Sequence, residues 1–159
     1  MANPANDDGT LDALIAPFVD QPGGLLPALH AVHDAHGFIS DDAIRALAEA
    51  FNLSRADVHG VVSFYHDFRR APGGRHIVKL CQAEACQAMG GRALTAQAKR
   101  RFGIDFFETD AGGHVTLEPV YCLGNCACAP AAMIDGAVVG RVTAERFEAL
   151  ADDLEARRR

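Results

Sequence analysis

Residues 76–86, HIVKLCQAEAC, lead from a short apolar run directly into a pair of cysteines. The run HIVKLC has the length and the aliphatic, β-branched content of a strand, and we expect that strand to end at Cys81. Further strand-like runs surround the Ala-Gly-Gly sequence at residues 111–113 and the Asp135-Gly136 pair, and both sequences are typical of hairpin turns. The second half of the chain is therefore expected to be rich in strands.

Two helical patterns complete this half of the chain. One covers residues 92–102, and Thr143 is placed to cap the other, which continues toward the C-terminus. From residue 76 onward the order is therefore strand, helix, strand, strand, helix. This order predicts an α/β domain with a four-stranded sheet and two helices, which is the outline of a thioredoxin-like fold.

The first half of the chain has helical periodicity instead. Apolar residues recur at i, i+3, i+4 and i+7 after Ser40, and again after Ser54, whose spacing to Asp57 is that of a capping box. An earlier helix is expected to stop at Gly37. The apolar residues of these helices are Leu25, Leu29, Val32, Ile44, Leu47, Ala48, Phe51, Val58, Val61, Val62 and Tyr65.

The sequence RRAPGGR, residues 69–75, separates the two halves, because proline and two glycines interrupt helices and strands. This break predicts two domains, a helical bundle over residues 1–72 and the α/β domain over residues 73–159. Phe64 and Tyr65 lie near the end of the bundle, and we expect them in its core rather than at an interface.

Composition restricts the class of function. The 159 residues carry a net charge of −6 and the basic residues are scattered, which argues against a nucleic-acid-binding surface. The N-terminus lacks the features of a secretion signal, and no run approaches the roughly 20 apolar residues of a membrane span. We therefore expect a cytoplasmic protein without direct membrane insertion, whose five cysteines are metal ligands or catalytic thiols rather than disulfides.

Four of the cysteines form two pairs at the ends of predicted strands. Cys81 and Cys86 form a C-x4-C pair after the first strand, and Cys122 and Cys126 form a C-x3-C pair after the third. If those strands are neighbours, the pairs converge on one site, and the two irons of a 2Fe–2S cluster require two such thiolate pairs. Structural zinc, which prefers C-x2-C knuckles, is the alternative, whereas the C-x-x-C motif of a redox disulfide is absent from the sequence.

The fifth cysteine, Cys128, follows Cys126 at i+2. In an extended segment two such side chains point to opposite faces, so we expect Cys128 to be a buried apolar neighbour of the site and not a ligand. Gly124 and Asn125 suit a tight loop between Cys122 and Cys126, in which backbone N–H groups turn toward the sulfurs.

These motifs carry a family resemblance. The segments CQAEAC and YCLGNCACAPAAMID, together with AIRALAEAFNLSRADVHGVVSFYHDF and GRHIVKLC, resemble the thioredoxin-like 2Fe–2S subunit of NADH dehydrogenases of the complex I type and their soluble relatives. The loop KLCQAEACQAMGG is most similar to that of the gamma subunit of soluble, NAD-dependent, molybdenum-containing formate dehydrogenases. The complex I subunit and the diaphorase subunit of NAD-linked nickel–iron hydrogenases are alternatives.

The resemblance implies that Cys81, Cys86, Cys122 and Cys126 hold the cluster, with one iron on each pair. It also implies a flavoprotein partner that carries FMN and the NAD site, and a large partner with molybdenum and iron–sulfur centres that oxidises formate. This chain would then be a non-catalytic electron-transfer subunit of that oxidoreductase, without activity alone. Its GGRALTAQ segment lacks the fingerprint of a dinucleotide site. A zinc-binding module for protein interaction is an alternative of another class.

Overall fold

The computed structural model describes residues 8–157, so residues 1–7 of the predicted bundle and residues 158–159 of the predicted α/β domain lie outside the described range. Of the described residues, those up to Pro72 form one compact unit and those from Gly73 onward form a second. Within this range no helix is both long enough and apolar enough to cross a membrane. That each unit folds alone stays a prediction.

The first unit is built from helices. They are α1 (Asp8–Ile15), which a 3-10 turn over Ala16–Phe18 extends, α2 (Leu25–His36), α3 (Asp41–Ala50) and α4 (Arg55–Phe64). Helix α1 is not among the helices that the sequence periodicity identifies. Its Leu11 and Ile15 are nevertheless almost fully buried in the core of the unit, so α1 is part of the bundle.

The helix ends follow the local signals in the sequence. Ser40 accepts a hydrogen bond from the backbone N–H of Ala43 at 3.0 Å and caps α3. Ser54 and Asp57 form a complete capping box, since each side chain accepts from the backbone N–H of the other residue at 3.1 Å. Gly37 ends α2 with a φ of 78°. The predicted caps are therefore confirmed.

The core of the first unit uses only part of the apolar stripe on α4. Val58, Val62 and Phe68 are buried, whereas Phe64 and Tyr65 are 73% and 41% exposed. Helix α4 ends at Phe64, and Tyr65 continues in an extended conformation, so the chain turns away from the helix face that packs on the core. The expectation that Phe64 and Tyr65 belong to the core is wrong.

The second unit contains a sheet of order β2-β3-β1-β4-β5. Its strands are β1 (His76–Cys81), β2 (Glu108–Thr109), β3 (Val115–Val120), β4 (Ala132–Ile134) and β5 (Ala137–Val139). Strands β1 and β3 are parallel, and the other neighbours are antiparallel. Helices α5 (Glu84–Ala88) and α6 (Gly91–Phe102) lie between β1 and β2 in the chain, and α7 (Ala144–Ala156) follows β5.

This architecture confirms the predicted α/β, thioredoxin-like fold, with two differences in the count of elements. The sequence predicts a four-stranded sheet and two helices, whereas the described sheet has five strands and the unit has a third helix, the five-residue α5, which no sequence signal indicates. The strand-like run before the Ala-Gly-Gly turn forms only the two-residue strand β2. Phe107, directly before β2, has a φ of 66°, which is rare for a residue with a large side chain. The left-handed residue interrupts the extended run and limits β2 to a short edge strand.

One face of the sheet packs against α6 and α7. Val78 and Leu80 of β1 and Leu117 of β3 are at most 1% exposed. They join Phe147 and Leu154 of α7 in one apolar cluster. These strand residues alternate with residues on the other face, as the period of a strand requires. The sheet therefore has its main core on the α6/α7 side.

Arg101 connects α6 to α7. Its guanidinium pairs with three carboxylates of α7, those of Glu148 at 3.1 Å, Asp152 at 3.0 Å and Glu155 at 2.6 Å. The hydrogen bonds to Glu155 and Asp152 raise the pKa of Arg101, so its charge persists at every pH at which the protein folds.

Replacing Arg101 by methionine is expected to lower the free energy of unfolding by about 1–2 kcal/mol. Three carboxylates lose their shared partner, but solvent screens each of them in part. Urea unfolding followed by circular dichroism measures the change. Arg100→Met, at an exposed position of the same helix, is the matched control and should change stability by less than about 0.5 kcal/mol. Equal losses in the two variants would contradict the assigned role of Arg101.

Candidate metal centre

Both cysteine pairs lie at the same edge of the sheet. Strands β1 and β3 are adjacent and parallel, and Cys81, the last residue of β1, is in register with Val120, the last residue of β3. Cys122 follows Val120 by two residues, so both cysteine loops leave from the carboxyl ends of neighbouring strands. The two strands that precede the cysteine pairs are therefore neighbours in the sheet, which is the condition under which the sequence predicts that the pairs converge.

The first cysteine pair is buried. Cys81 is 4% exposed and Cys86, on α5, is 2% exposed. Two glutamines hold the connecting loop, because the amide of Gln87 donates to the Gln82 carbonyl oxygen at 2.6 Å and the amide of Gln82 donates to Thr95 Oγ1 at 3.0 Å. The cysteine spacing does not identify these glutamines, and their position beside both cysteines is the only sequence signal for them.

The second cysteine pair is exposed and lies in a strained loop. Cys122 has a φ of 118°, a value that a non-glycine residue rarely adopts. Gly124 has a φ of 72°, and its backbone N–H donates to Cys122 Sγ at 3.4 Å. The Sγ atoms of Cys122 and Cys126 are 3.8 Å apart. The expected tight loop, with an N–H group turned toward a sulfur, is confirmed.

The surroundings of one cysteine in each pair, Cys86 and Cys126, raise its thiol pKa. Burial, followed by a hydrogen bond with Cys81, raises the pKa of Cys86. The hydrogen bond with Cys122, followed by charge repulsion from it, raises the pKa of Cys126. Cysteine binds metal ions as the thiolate, so a bound cation would offset the causes that raise these two pKa values.

Cys128 lies in a different local structure from the expected one. Residues Cys126–Cys128 form a 3-10 turn, not an extended segment, and Cys128 is half-buried, not buried. With three residues per turn, side chains at i and i+2 are separated by about 120° around the axis, so Cys126 and Cys128 still face different directions. A Cβ atom on Gly140 would lie 2.6 Å from Cys128 Cβ, so Cys128 packs against the segment that leads to α7.

The four thiols of Cys81, Cys86, Cys122 and Cys126, here called the four-cysteine site, form one buried and one exposed pair. Among the described residues, no group of three or more His, Cys, Asp or Glu side chains is arranged to hold a single metal ion. A cluster of two irons requires two thiolates for each iron and is tuned by N–H groups near sulfur, and the pairs and the Gly124 N–H supply both. The residues therefore fit a 2Fe–2S cluster, and the ligand assignment stays a prediction.

Comparison with known proteins shows the family of the chain. The family described as thioredoxin-like 2Fe-2S ferredoxin matches residues 11–155, and the chain belongs to this family. It is 38% identical over 125 residues to a subunit of the NADH-quinone oxidoreductase of Pseudomonas aeruginosa, with 79% of this chain and 75% of that protein covered. The corresponding protein of Escherichia coli is 32% identical over 133 residues, with 84% and 80% covered.

A solved structure shares the fold. An NAD+-reducing NiFe hydrogenase in the H2-reduced state matches with a TM-score of 0.71 and 29% identity over 84% of this chain and 22% of the hydrogenase chain. This chain therefore spans about a fifth of the hydrogenase chain. It spans 56% of the corresponding NADH-quinone oxidoreductase protein of Mycobacterium tuberculosis, to which it is 33% identical over 141 residues.

Proposed function

We propose that the four-cysteine site holds one 2Fe–2S cluster and that this chain transfers electrons, one at a time, next to the flavin of a partner subunit. The observation that supports the proposal is that both cysteine loops leave the carboxyl ends of the adjacent parallel strands β1 and β3. When bound, the cluster supplies one-electron chemistry. The chain's own residues hold it and shield its inner side from water.

The unequal burial of the two pairs indicates where electrons cross. Cys81 and Cys86 are enclosed, whereas Cys122 and Cys126 are exposed. Tyr121, next to Cys122, is 74% exposed. An exposed aromatic ring beside a metal site is typical of the centre of a protein interface. The surface of Tyr121, Cys122 and Cys126, which we call the open edge, is therefore the side that we propose to face the flavin.

The partners follow from the relatives. The similar proteins are named as a subunit of NADH-quinone oxidoreductase and as an NAD+-reducing hydrogenase, so NAD chemistry is part of both assemblies. We propose that a flavoprotein subunit with FMN binds NAD beside this chain. Within that arrangement the chain is an electron-transfer subunit with no turnover of its own.

The particular assembly that we propose is a cytoplasmic, NAD-dependent formate dehydrogenase with a large molybdenum- and iron–sulfur-containing subunit. Its support is the similarity of the loop KLCQAEACQAMGG to the gamma subunit of those enzymes. The relatives support a complex I or a hydrogenase assembly equally, so these remain the competing assignments.

Anaerobic purification of the tagged chain with its natural partners tests the proposal. We expect a coloured complex that contains iron and molybdenum and couples formate oxidation to NAD+ reduction. A complex that contains nickel and reduces NAD+ with hydrogen would indicate the hydrogenase assembly. A complex that contains neither molybdenum nor nickel and oxidises NADH with a quinone would indicate the complex I assembly. Either result would replace the formate assignment but keep the electron-transfer role. A colourless chain that contains zinc would contradict both and favour the protein-interaction module.

A further inference from the structure

An ion pair of one half-buried and one buried side chain lies on the sheet below the four-cysteine site. Lys79 of β1 and Glu118 of β3 are in register, and Lys79 Nζ is 3.4 Å from Glu118 Oε2. Their side chains are 21% and 10% exposed. Because they precede Cys81 and Val120 by two residues each, they lie on the same face of the sheet as those residues. The pair is therefore one strand repeat, roughly 7 Å of backbone, from Cys81.

The contribution of such a pair to the stability of the fold is small. Removing two charges from water costs free energy that their attraction repays only in part, so a buried ion pair is weak in stabilising a fold compared with apolar residues of similar size. The opposite face of the same two strands is filled by Val78, Leu80 and Leu117, so apolar packing is available to this sheet. The pair therefore places two charges beside the site at a position where apolar side chains would also fit.

The geometry points to electrostatic control of the metal centre. We propose that the charges of Lys79 and Glu118 set the reduction potential of the four-cysteine site. This inference rests on the proposed function. Reduction by one electron, which the reduced flavin of the partner donates, adds one negative charge to the site. The cation of Lys79 favours that added charge and the anion of Glu118 opposes it, and low local polarity strengthens both effects.

Two single variants separate this role from a packing role because their effects have opposite signs. Lys79→Met leaves the anion, so the site becomes harder to reduce. Glu118→Gln leaves the cation, so the site becomes easier to reduce. At a fixed ambient potential, each variant is expected to change the ratio of reduced to oxidised protein about tenfold, or about 59 mV for one electron. The double variant removes both charges and should return close to the wild-type ratio.

The measurement is a dithionite titration of the full chain with redox mediators, followed by visible absorption and electron paramagnetic resonance. Lys99→Met is the matched control. Lys99 is the ninth residue of α6 and forms a more exposed ion pair with Asp105. This variant should leave the reduction potential unchanged. Lys79→Gln and Glu118→Met make the same charge changes with different side chains. They should therefore shift the reduction potential in the same directions as Lys79→Met and Glu118→Gln, and they replace those variants if either folds poorly.

Shifts of the same sign in Lys79→Met and Glu118→Gln, or no shift in chains with full iron content, would overturn the inference and leave the proposed function intact. A wild-type chain without a reducible iron–sulfur signal would instead refute the proposed function. The two failures are therefore distinguishable in one series of titrations.

Discussion

Replacement of Cys126 by alanine is expected to abolish the iron–sulfur centre, reducing bound iron from about two atoms per chain to close to none. Cys126 and Cys122 form the exposed pair with a Sγ separation of 3.8 Å, and one iron loses half of its protein ligands when Cys126 is removed. Iron analysis and visible absorption of chains reconstituted anaerobically measure the loss.

The matched control for this experiment is Cys128→Ala in the same 3-10 turn. Cys128 packs on Gly140 and faces a different direction from Cys126, so this variant should keep the wild-type iron content and spectrum. Loss of the centre in Cys128→Ala, with retention in Cys126→Ala, would show that the ligand assignment in the second loop is wrong.

A shortened chain that starts at Gly73 is expected to assemble the centre but to lose stable association with the flavoprotein subunit. Each unit has its own apolar core, one built from residues 11–68 and the other from residues 78–154. The shortened chain keeps Gly74, whose N–H donates to Thr116 Oγ1 at 2.6 Å and fixes the start of the second unit. A domain of roughly 85 residues is large enough to fold alone.

The helical unit is then free to serve in docking. Phe64 and Tyr65, which its own core leaves exposed, are the aromatic residues that we expect at the interface. The full chain with Phe64→Ser and Tyr65→Ser should keep its spectrum and weaken capture of the flavoprotein by at least tenfold, a loss that two interface aromatics readily account for. Failure of the shortened chain to assemble any centre would show that the first 72 residues belong to the folding core and that the two-domain division is mistaken.

Local signals account for the parts of the fold that the sequence predicts well. The Ser54 and Asp57 capping box, the glycine at position 37 and the Asp135-Gly136 turn each depend on a few neighbouring residues, and the structure reproduces all three. The four-cysteine site is also predictable in outline, because a pair of cysteines at the end of each of two strands needs only one tertiary condition, that the strands be neighbours.

The features that the sequence does not predict are either very short elements or contacts that depend on the tertiary structure. Helix α5 has five residues, too few for a periodic signal. The 3-10 turn at Cys126–Cys128 and the exposure of Phe64 depend on the direction that the chain takes after a helix or strand ends. Residue propensities for secondary structure describe that direction poorly. The Lys79–Glu118 pair joins residues 39 positions apart, and only the register of β1 and β3 brings them together.

Mössbauer spectroscopy of the iron-57-labelled chain, supported by iron, sulfide and zinc analysis, tests directly whether the four-cysteine site holds one 2Fe–2S cluster. We expect two ferric sites per oxidised chain and one added electron per chain after reduction, with about two irons, about two sulfides and no zinc. Four irons per chain, or zinc in place of iron, would contradict this expectation.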